Sequence, residues 1–469
     1  MSMSKGLRAW VVGGGIALGL AYALSPLTVW FAAAVVGLFA AAGRGLPRDE
    51  RRTVLLVLSA AVALRLVALA GLFLATNHQQ VVSFFWDGDG KYLKMRGLWI
   101  RNFWTGAAID PLDLRDAFSR TYGWTTYLYV IAYVQYLTGA SPYGIHFVNV
   151  AVFMATAILL YRAARFAYGS TAALLGLTML LFLPTPLMWS VAALKESLYV
   201  FLQVCAVAAF AHAEAKHWSI GSMAIAAVIG VAAVWADDTV RDYAGVICGA
   251  ALALGIAAGL VAGSRRLAMA AALLCVPVAL VVVVRRADIQ DRIMTQLETR
   301  AVHHIGHVHT EGNSYRLLDQ RFYLPSATTA TIDTMVRIEG ARFAIRAVGE
   351  FVLAPLPWQV KSLPEMAFLP QQLVWYVMVV LAGYGDVGGI RSGATVFTCL
   401  LAAFAIVGGL AIALSSGNIG TMVRHRDTIV PFVVWLSSAG AVDVMARVAR
   451  AGARSPHLGP GIEARAACD

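Results

Sequence analysis

Residues 53–75 read TVLLVLSAAVALRLVALAGLFLA, 23 positions with a single charge at Arg65. As a helix rising about 1.5 Å per residue this run is about 34 Å long, enough to cross a hydrocarbon core of about 30 Å. Arg51 and Arg52 stand immediately before it, and arginines flanking an apolar helix mark its cytoplasmic end. The same texture recurs outward from this stretch: of 469 residues, 59% are hydrophobic and 13% are Asp, Glu, Lys or Arg. An ordinary soluble domain carries roughly 25% charged residues. Soluble, fibrous, disordered and disulfide-rich secreted classes are therefore excluded, leaving an all-α integral membrane protein. The 37 Lys and Arg against 26 Asp and Glu give a net charge of +11. In a membrane chain that excess belongs in cytoplasmic loops, so no nucleic-acid partner is expected. Cys205, Cys248, Cys275 and Cys399 lie in apolar runs and Cys468 lies near the end. They propose neither a disulfide framework nor a thiolate metal site.

Residues 7–24, 27–42, 53–75, 144–161, 170–188, 193–213, 218–236, 243–262, 267–284, 371–386, 394–414 and 428–446 have spanning length and composition. They predict about 12 transmembrane helices in a single domain, 1–469. Lys5, Arg8, Arg44, Arg48, Arg51 and Arg52 put the N-terminus and the 43–52 loop in the cytoplasm. Two large loops, 76–143 and 285–370, then lie outside. Within the first, 122–138 (YGWTTYLYVIAYVQYLT) has the look of another span, but counting it would move Arg162 and Arg165 to the outer face. A Tyr- and Trp-rich helix lying in the interface satisfies both observations. Lys5, Arg8, an apolar core and Ala21-Tyr22-Ala23 also fit a signal peptide. The second apolar run, following without a polar mature start, favours a span instead, and either choice leaves the later orientation unchanged.

Function is expected on the outer loops, since segments carried by a rigid scaffold supply most sites. The first contains Phe84-Phe85-Trp86-Asp87-Gly88-Asp89-Gly90-Lys91-Tyr92, with Lys94, Arg96 and Arg101 following. A carboxylate beside apolar surface suits a general base, and neighbouring cations suit a phosphate. Alternatively, Asp89 caps a helix starting near Gly90 and Asp87 is merely solvated. Tyr122-Gly123 follows, then Leu137-Thr138-Gly139-Ala140-Ser141-Pro142 and a span with Asn149 near its start. Further on come Leu183-Pro184-Thr185-Pro186-Leu187-Met188-Trp189-Ser190, Lys195-Glu196 and Arg424-His425-Arg426-Asp427 ahead of Pro431.

This order resembles the GT-C superfamily of integral membrane glycosyltransferases, which take sugars from polyprenyl-phosphate donors, and is similar to the dolichyl-phosphate-mannose and aminoarabinose transferase group. The matches are short and run from about 84 to 431. The resemblance implies an acidic residue in the first outer loop before juxtamembrane helices, here Asp87 or Asp89. It implies a second acid at Glu196 and a basic closing motif at Arg424 and Arg426. The chain departs from the family's Asp-Glu-x-x-Tyr-like setting, because its acids stand five and three positions before Tyr92. It also carries no soluble C-terminal domain of the oligosaccharyltransferase layout.

The expected catalytic residues are thus Asp87, Asp89 and Glu196, and the expected substrate-binding residues are Lys91, Tyr92, Lys94, Lys195, Arg241, Arg316, Arg424 and Arg426. Each has a plainer reading. Lys195 and Glu196 neutralise each other or snorkel; Asp237, Asp238, Arg241 and Asp242 make a solvated turn; Arg424 and Arg426 anchor the interface. His303, His304, His307 and His309 have spacings compatible with a divalent metal site, or with contact to acceptor or lipid phosphate. Pro355, Pro357, Pro364 and Pro370 are expected to break any span there and leave an interfacial or re-entrant cover.

The expected activity is inverting transfer from a polyprenyl-phosphate sugar to a glycan, lipid or protein acceptor, without a required cofactor. The setting is a bacterial inner membrane with its site on the periplasmic side. A polymerase or ligase using a polyprenyl-pyrophosphate glycan is the alternative enzyme. A transporter or flippase of lipid-linked sugar is the rival from another class; it calls for charged or Gly/Pro-broken spans in matched halves, whereas the spans here are mostly clean and Arg65 is the main mid-span charge.

Overall fold

The computed structural model describes residues 5–75, 87–119, 125–141, 143–264, 285–310, 312–324, 334–360 and 363–454, with single positions at 266, 269 and 332. The described residues are helical and hold no strand; Ser314 and Asn418 form one isolated bridge. In chain order the helices are α1 (Lys5–Leu24), α2 (Pro26–Gly43), α3 (Arg48–Ala75), α4 (Asp87–Thr105), α5 (Pro111–Phe118) and α6 (Tyr127–Thr138). There follow α7 (Gly144–Tyr168), α8 (Ser170–Phe182), α9 (Pro184–Val191), α10 (Glu196–Ala215), α11 (Ile220–Val240) and α12 (Ala244–Ala262). The last six are α13 (Ala287–Val308), α14 (Arg337–Leu353), α15 (Leu363–Ser392), α16 (Thr395–Ser415), α17 (Ile419–Arg426) and α18 (Val430–Arg454).

Nine of the described helices are long and apolar enough to cross a membrane, and α8 with α9, bent by 60°, makes a tenth crossing if the pair is one span. The chain is a multi-pass helical membrane protein. The expected first span is helical, but its apolar part among the described residues, Val12–Leu24, is shorter than a span. The expected span 267–284 lies outside the described residues.

One expected span is bent, and one expectation about proline needs correcting. The run 170–188 does not continue straight, because Leu183 is extended and Pro184 opens a new helix as its first residue. Conversely, Pro364 and Pro370 do not prevent a helix: α15 runs for 30 residues with both inside it. Pro364 falls in the first turn, where a backbone N–H has no helical partner, so only Pro370 removes a bond.

Arg65 holds the α8/α9 break. Thr185 N donates to Gln371 Oε1 instead of continuing the α8 ladder, and Arg65 Nη2 donates to Leu181 O at 3.1 Å. Its Nε donates to Ser190 Oγ at 2.8 Å and Nη1 to Ala61 O at 3.1 Å. The guanidinium, with the residue 0% exposed, also lies over the Phe153 ring. The mid-span charge is therefore tied to Leu181 O, which the bend frees, to the Ser190 hydroxyl and to Ala61 O of its own helix.

At one end of the bundle Glu50 accepts from Arg165 and Tyr161, and Glu214 accepts from Val396 N and Phe397 N at the start of α16. A carboxylate there satisfies unpaired amides and opposes the helix dipole. The other end carries Asp89, Glu196 and Arg424. Between the ends, α15 and α18 meet backbone to backbone: a Cβ on Gly385 would lie 1.9 Å from Leu436 O, and one on Gly440 the same distance from Leu381 O. Only glycine permits that approach. Helices α4, α5 and α6 pack on one another, burying Ile100, Ala117, Leu128 and Ala132 in a cluster apart from the main core, while Tyr127 and Ile131 of α6 pack on Ile145 and Ala193.

Candidate active site

The turn from α9 to α10 is fixed from below by α7. His146 Nδ1 donates to Val191 O at 2.6 Å, and Asn149 Nδ2 donates to Ala192 O at 2.6 Å and Leu194 O at 2.8 Å. Tyr127 of α6 donates its hydroxyl proton to Asn149 Oδ1. Three carbonyls of one short turn are thus held by buried side chains, and Lys195 and Glu196 emerge from it in a defined position. The first turn of α4 lies above: a Cβ on Gly90 would sit 3.8 Å from Ala193 O.

Arg424, on α17, joins these pieces. Its Nη1 donates to Asp89 Oδ2 at 2.6 Å, and its Nε and Nη2 contact Glu196 Oε1 at 2.9 and 2.8 Å. Its guanidinium carbon lies 5.5 Å from the centre of the Trp189 ring. The side chains grade from the mouth inward: Asp89 is 63% exposed, Arg424 18% and Glu196 9%. Burial opposes the charge on Arg424, but the carboxylates of Glu196 and Asp89 outweigh it and hold the guanidinium protonated more firmly than usual. Glu196 Oε2 is buried without a hydrogen-bond partner among the described residues.

A second layer supports the first. Asp427 Oδ1 accepts from Thr185 Oγ1 at 2.6 Å, and Gln371 bonds the same hydroxyl. Burial pushes the Asp427 carboxyl up to about 7, against hydrogen bonds from Thr185 and Trp189. Arg426 turns inward: its Nη2 donates to Phe351 O and Ala354 O, both at 2.6 Å, and its Nη1 to Gln372 Oε1 at 2.8 Å. It lies between Phe351 and Trp375 and is 4% exposed. The expectation that it grips a phosphate meets a residue whose bonds hold the end of α14 to α15.

Among the other expected site residues, Lys195 and Arg241 lie near the bridge. Lys91 and Tyr92 are half-buried on α4 and Lys94 is buried there. Asp87 opens α4, but its side chain lies outside the described residues. Asp89 lies within the first turn of that helix rather than capping a start at Gly90. Arg316 is exposed over the Tyr323 ring and joins no part of the cluster.

The histidines disperse around α13, because neighbours on a helix point about 100° apart. His304 is buried, with Nδ1 donating to Ser416 O at 2.6 Å and Nε2 accepting from Tyr323 Oη at 2.8 Å. His307 Nδ1 donates to Ser415 O at 2.7 Å, while His303 and His309 are exposed. Both nitrogens of His304 are committed, and no three His, Cys, Asp or Glu side chains are grouped for a metal among the described residues. The pair instead ties α13 to the last carbonyls of α16.

No protein-family model, curated protein or solved structure matches the chain. What the site does has to be argued from its own side chains. Sequence reasoning had found Asp89, Glu196 and Arg424 separately. It missed Trp189 and Asp427 as partners, although both stand inside motifs it had singled out.

Two expected results follow. Arg424→Lys is expected to lower activity at least tenfold, and Arg424→Ala further, because one ammonium cannot reproduce a planar fork serving two carboxylates. Full activity in the Lys variant would reduce Arg424 to an interfacial anchor. His304 is held by burial at about 4, below its ordinary 6.5. Its unfolded form therefore takes up the proton first, so stability is complete above about 6.5 and falls as pH drops towards about 4. The loss is on the order of 3 kcal/mol. Melting of the solubilised protein across this window should show a shallower acid slope in His304→Gln; an unchanged slope would rule His304 out as a source.

Proposed function

We propose that this protein is an inverting glycosyltransferase of the GT-C kind, moving a sugar from a polyprenyl-phosphate donor to an acceptor hydroxyl. The observation that carries the reading is the Arg424 bridge, which unites Asp89 and Glu196 across 335 and 228 residues of sequence. In the proposed reaction Asp89 takes the proton of the acceptor hydroxyl. The acceptor oxygen bonds the anomeric carbon, the bond from that carbon to the phosphate oxygen breaks, and its electron pair leaves with the polyprenyl phosphate. Glu196 and Arg424 set the position and charge of Asp89, and Asp87 is the alternative base.

In this reading about 12 spans place the site on the outer, periplasmic face of a bacterial inner membrane. Support comes from the two sides of 267–284: Gly259 of α12 packs on Val396 at the start of α16, and His304 of α13 bonds Ser416 just past its end. The described neighbours of that segment thus lie at opposite ends of the bundle. The test is mass spectrometry of the organism's glycolipids and glycans with and without the gene, paired with transfer by the purified protein from a labelled polyprenyl-phosphate sugar. Loss of one glycosylated species and its restoration in vitro are expected; an unchanged profile together with no transfer would end the reading.

A further inference from the structure

Arg424 is poorly placed to hold a phosphate as well, because Nε, Nη1 and Nη2 already face carboxylates. An anion arriving there would have to displace Glu196 and Asp89, which carry its own sign. Three nearby cations differ. Lys195 at the start of α10, Arg241 just after α11 and Arg300 on α13 form no ion pair among the described residues.

Arg241 and Arg300 line one cavity of about 70 Å³, with Tyr199, Gln203, Ser415 and a single carboxylate, Asp242. A water needs only about 10–15 Å³ by this kind of measure, so a small oxyanion fits. Lys195 and His425 lie within reach of Arg241: burial first, and then that guanidinium, disfavour the proton on each. His425 Nδ1 is buried with no partner among the described residues. The turn carrying Arg241 passes through Tyr243 at φ 64°, a left-handed backbone that side chains seldom adopt.

We propose that this cavity is an oxyanion site that takes the phosphate of the donor lipid, with Arg241 and Arg300 as its paired donors and Lys195 at its edge. The source of the phosphate rests on the transferase reading, whereas the anion chemistry rests on the cavity. When the anomeric bond breaks, a phosphodiester carrying about one negative charge becomes a monoester carrying about two. Arg241 and Arg300 face one lining carboxylate, an excess that favours the monoester, so the site stabilises charge as it develops on the leaving group.

The experiment measures binding of a short-chain polyprenyl monophosphate, inorganic phosphate and phosphatidylglycerol vesicles to the purified full chain. Arg241→Gln and Arg300→Gln are each expected to weaken the monophosphate roughly 10- to 100-fold, while Arg447→Gln, on the exposed last turns of α18, leaves it unchanged. Arg241→Lys and Arg300→Lys, expected between wild type and Gln, carry the test if a Gln variant fails to fold. Inorganic phosphate binding with the same variant dependence and equal affinity would assign a free phosphate site. Variant-dependent capture of phosphatidylglycerol vesicles would assign a lipid headgroup.

Unchanged affinity in all four variants of Arg241 and Arg300 would overturn the site. Sugar transfer that persists with wild-type phosphate affinity in the Arg241→Gln and Arg300→Gln variants would leave the transferase reading standing without it. Variant-sensitive phosphate binding with no sugar transfer would leave the anion site standing and remove the transferase.

Discussion

Asp89→Asn is expected to lower sugar transfer by about 10²- to 10⁴-fold, the usual contribution of a general base, in a protein that remains folded and inserted. The asparagine carbonyl can still accept from Arg424, and Arg424 keeps Glu196 as its charged partner. With Asp89 63% exposed, its ion pair contributes only about 0–1 kcal/mol of stability. Stability and turnover thus separate: melting should barely move while the rate collapses. Asp87→Asn, run alongside, decides the pair, since a collapse there with Asp89→Asn active would transfer the role to Asp87. Near-normal turnover in both would leave neither as a base.

The second large effect is structural. Arg65→Leu leaves Leu181 O and Ser190 Oγ without their donor, at about 1–3 kcal/mol for each buried group. Arg65→Lys is expected to be no better, since it keeps the buried charge but loses the fork that reaches a carbonyl and a hydroxyl together. Both should lower the yield of folded protein and, because α9 carries Trp189 and Thr185, the activity of what remains. Thermal stability and yield after solubilisation provide the readout. A fully stable Lys variant would mean that charge alone is needed in mid-span, and the flippase reading would gain support.

The apolar membrane helices were legible because length and hydropathy are properties of composition, which survive without knowledge of contacts. The break within 170–188 was less so: Pro184 and Pro186 are visible in the sequence, but the run stays apolar on both sides, and the partner that makes a bend tolerable, Arg65, is on another helix. For the site, residue chemistry was legible and pairing was not. Nothing local to Arg424 and Arg426 says that the first meets two acids while the second turns between Phe351 and Trp375. The histidine run misled for a geometric reason, since residues adjacent in a helical sequence face different ways.

The separate packing of α4, α5 and α6 makes Asp89 part of a hood rather than of the frame beneath it. Gly97 of α4 would place a Cβ 2.5 Å from Ile131 of α6, and Arg96 donates to Ala117 O and Ser119 O at the end of α5, so the hood is stiff within itself. The frame, with α15 and α18 in contact along Gly385 and Gly440, is equally stiff. The Asp89–Arg424 pair spans the seam between these two bodies at the mouth, beyond the buried Tyr127–Asn149 bond and the bonds of Thr125 and Thr126 to Val240 O and Thr239 O. In the proposed transferase, uncovering Asp89 for an acceptor therefore takes only the parting of one half-exposed ion pair at the mouth, with the buried bonds and the spans beneath left in place.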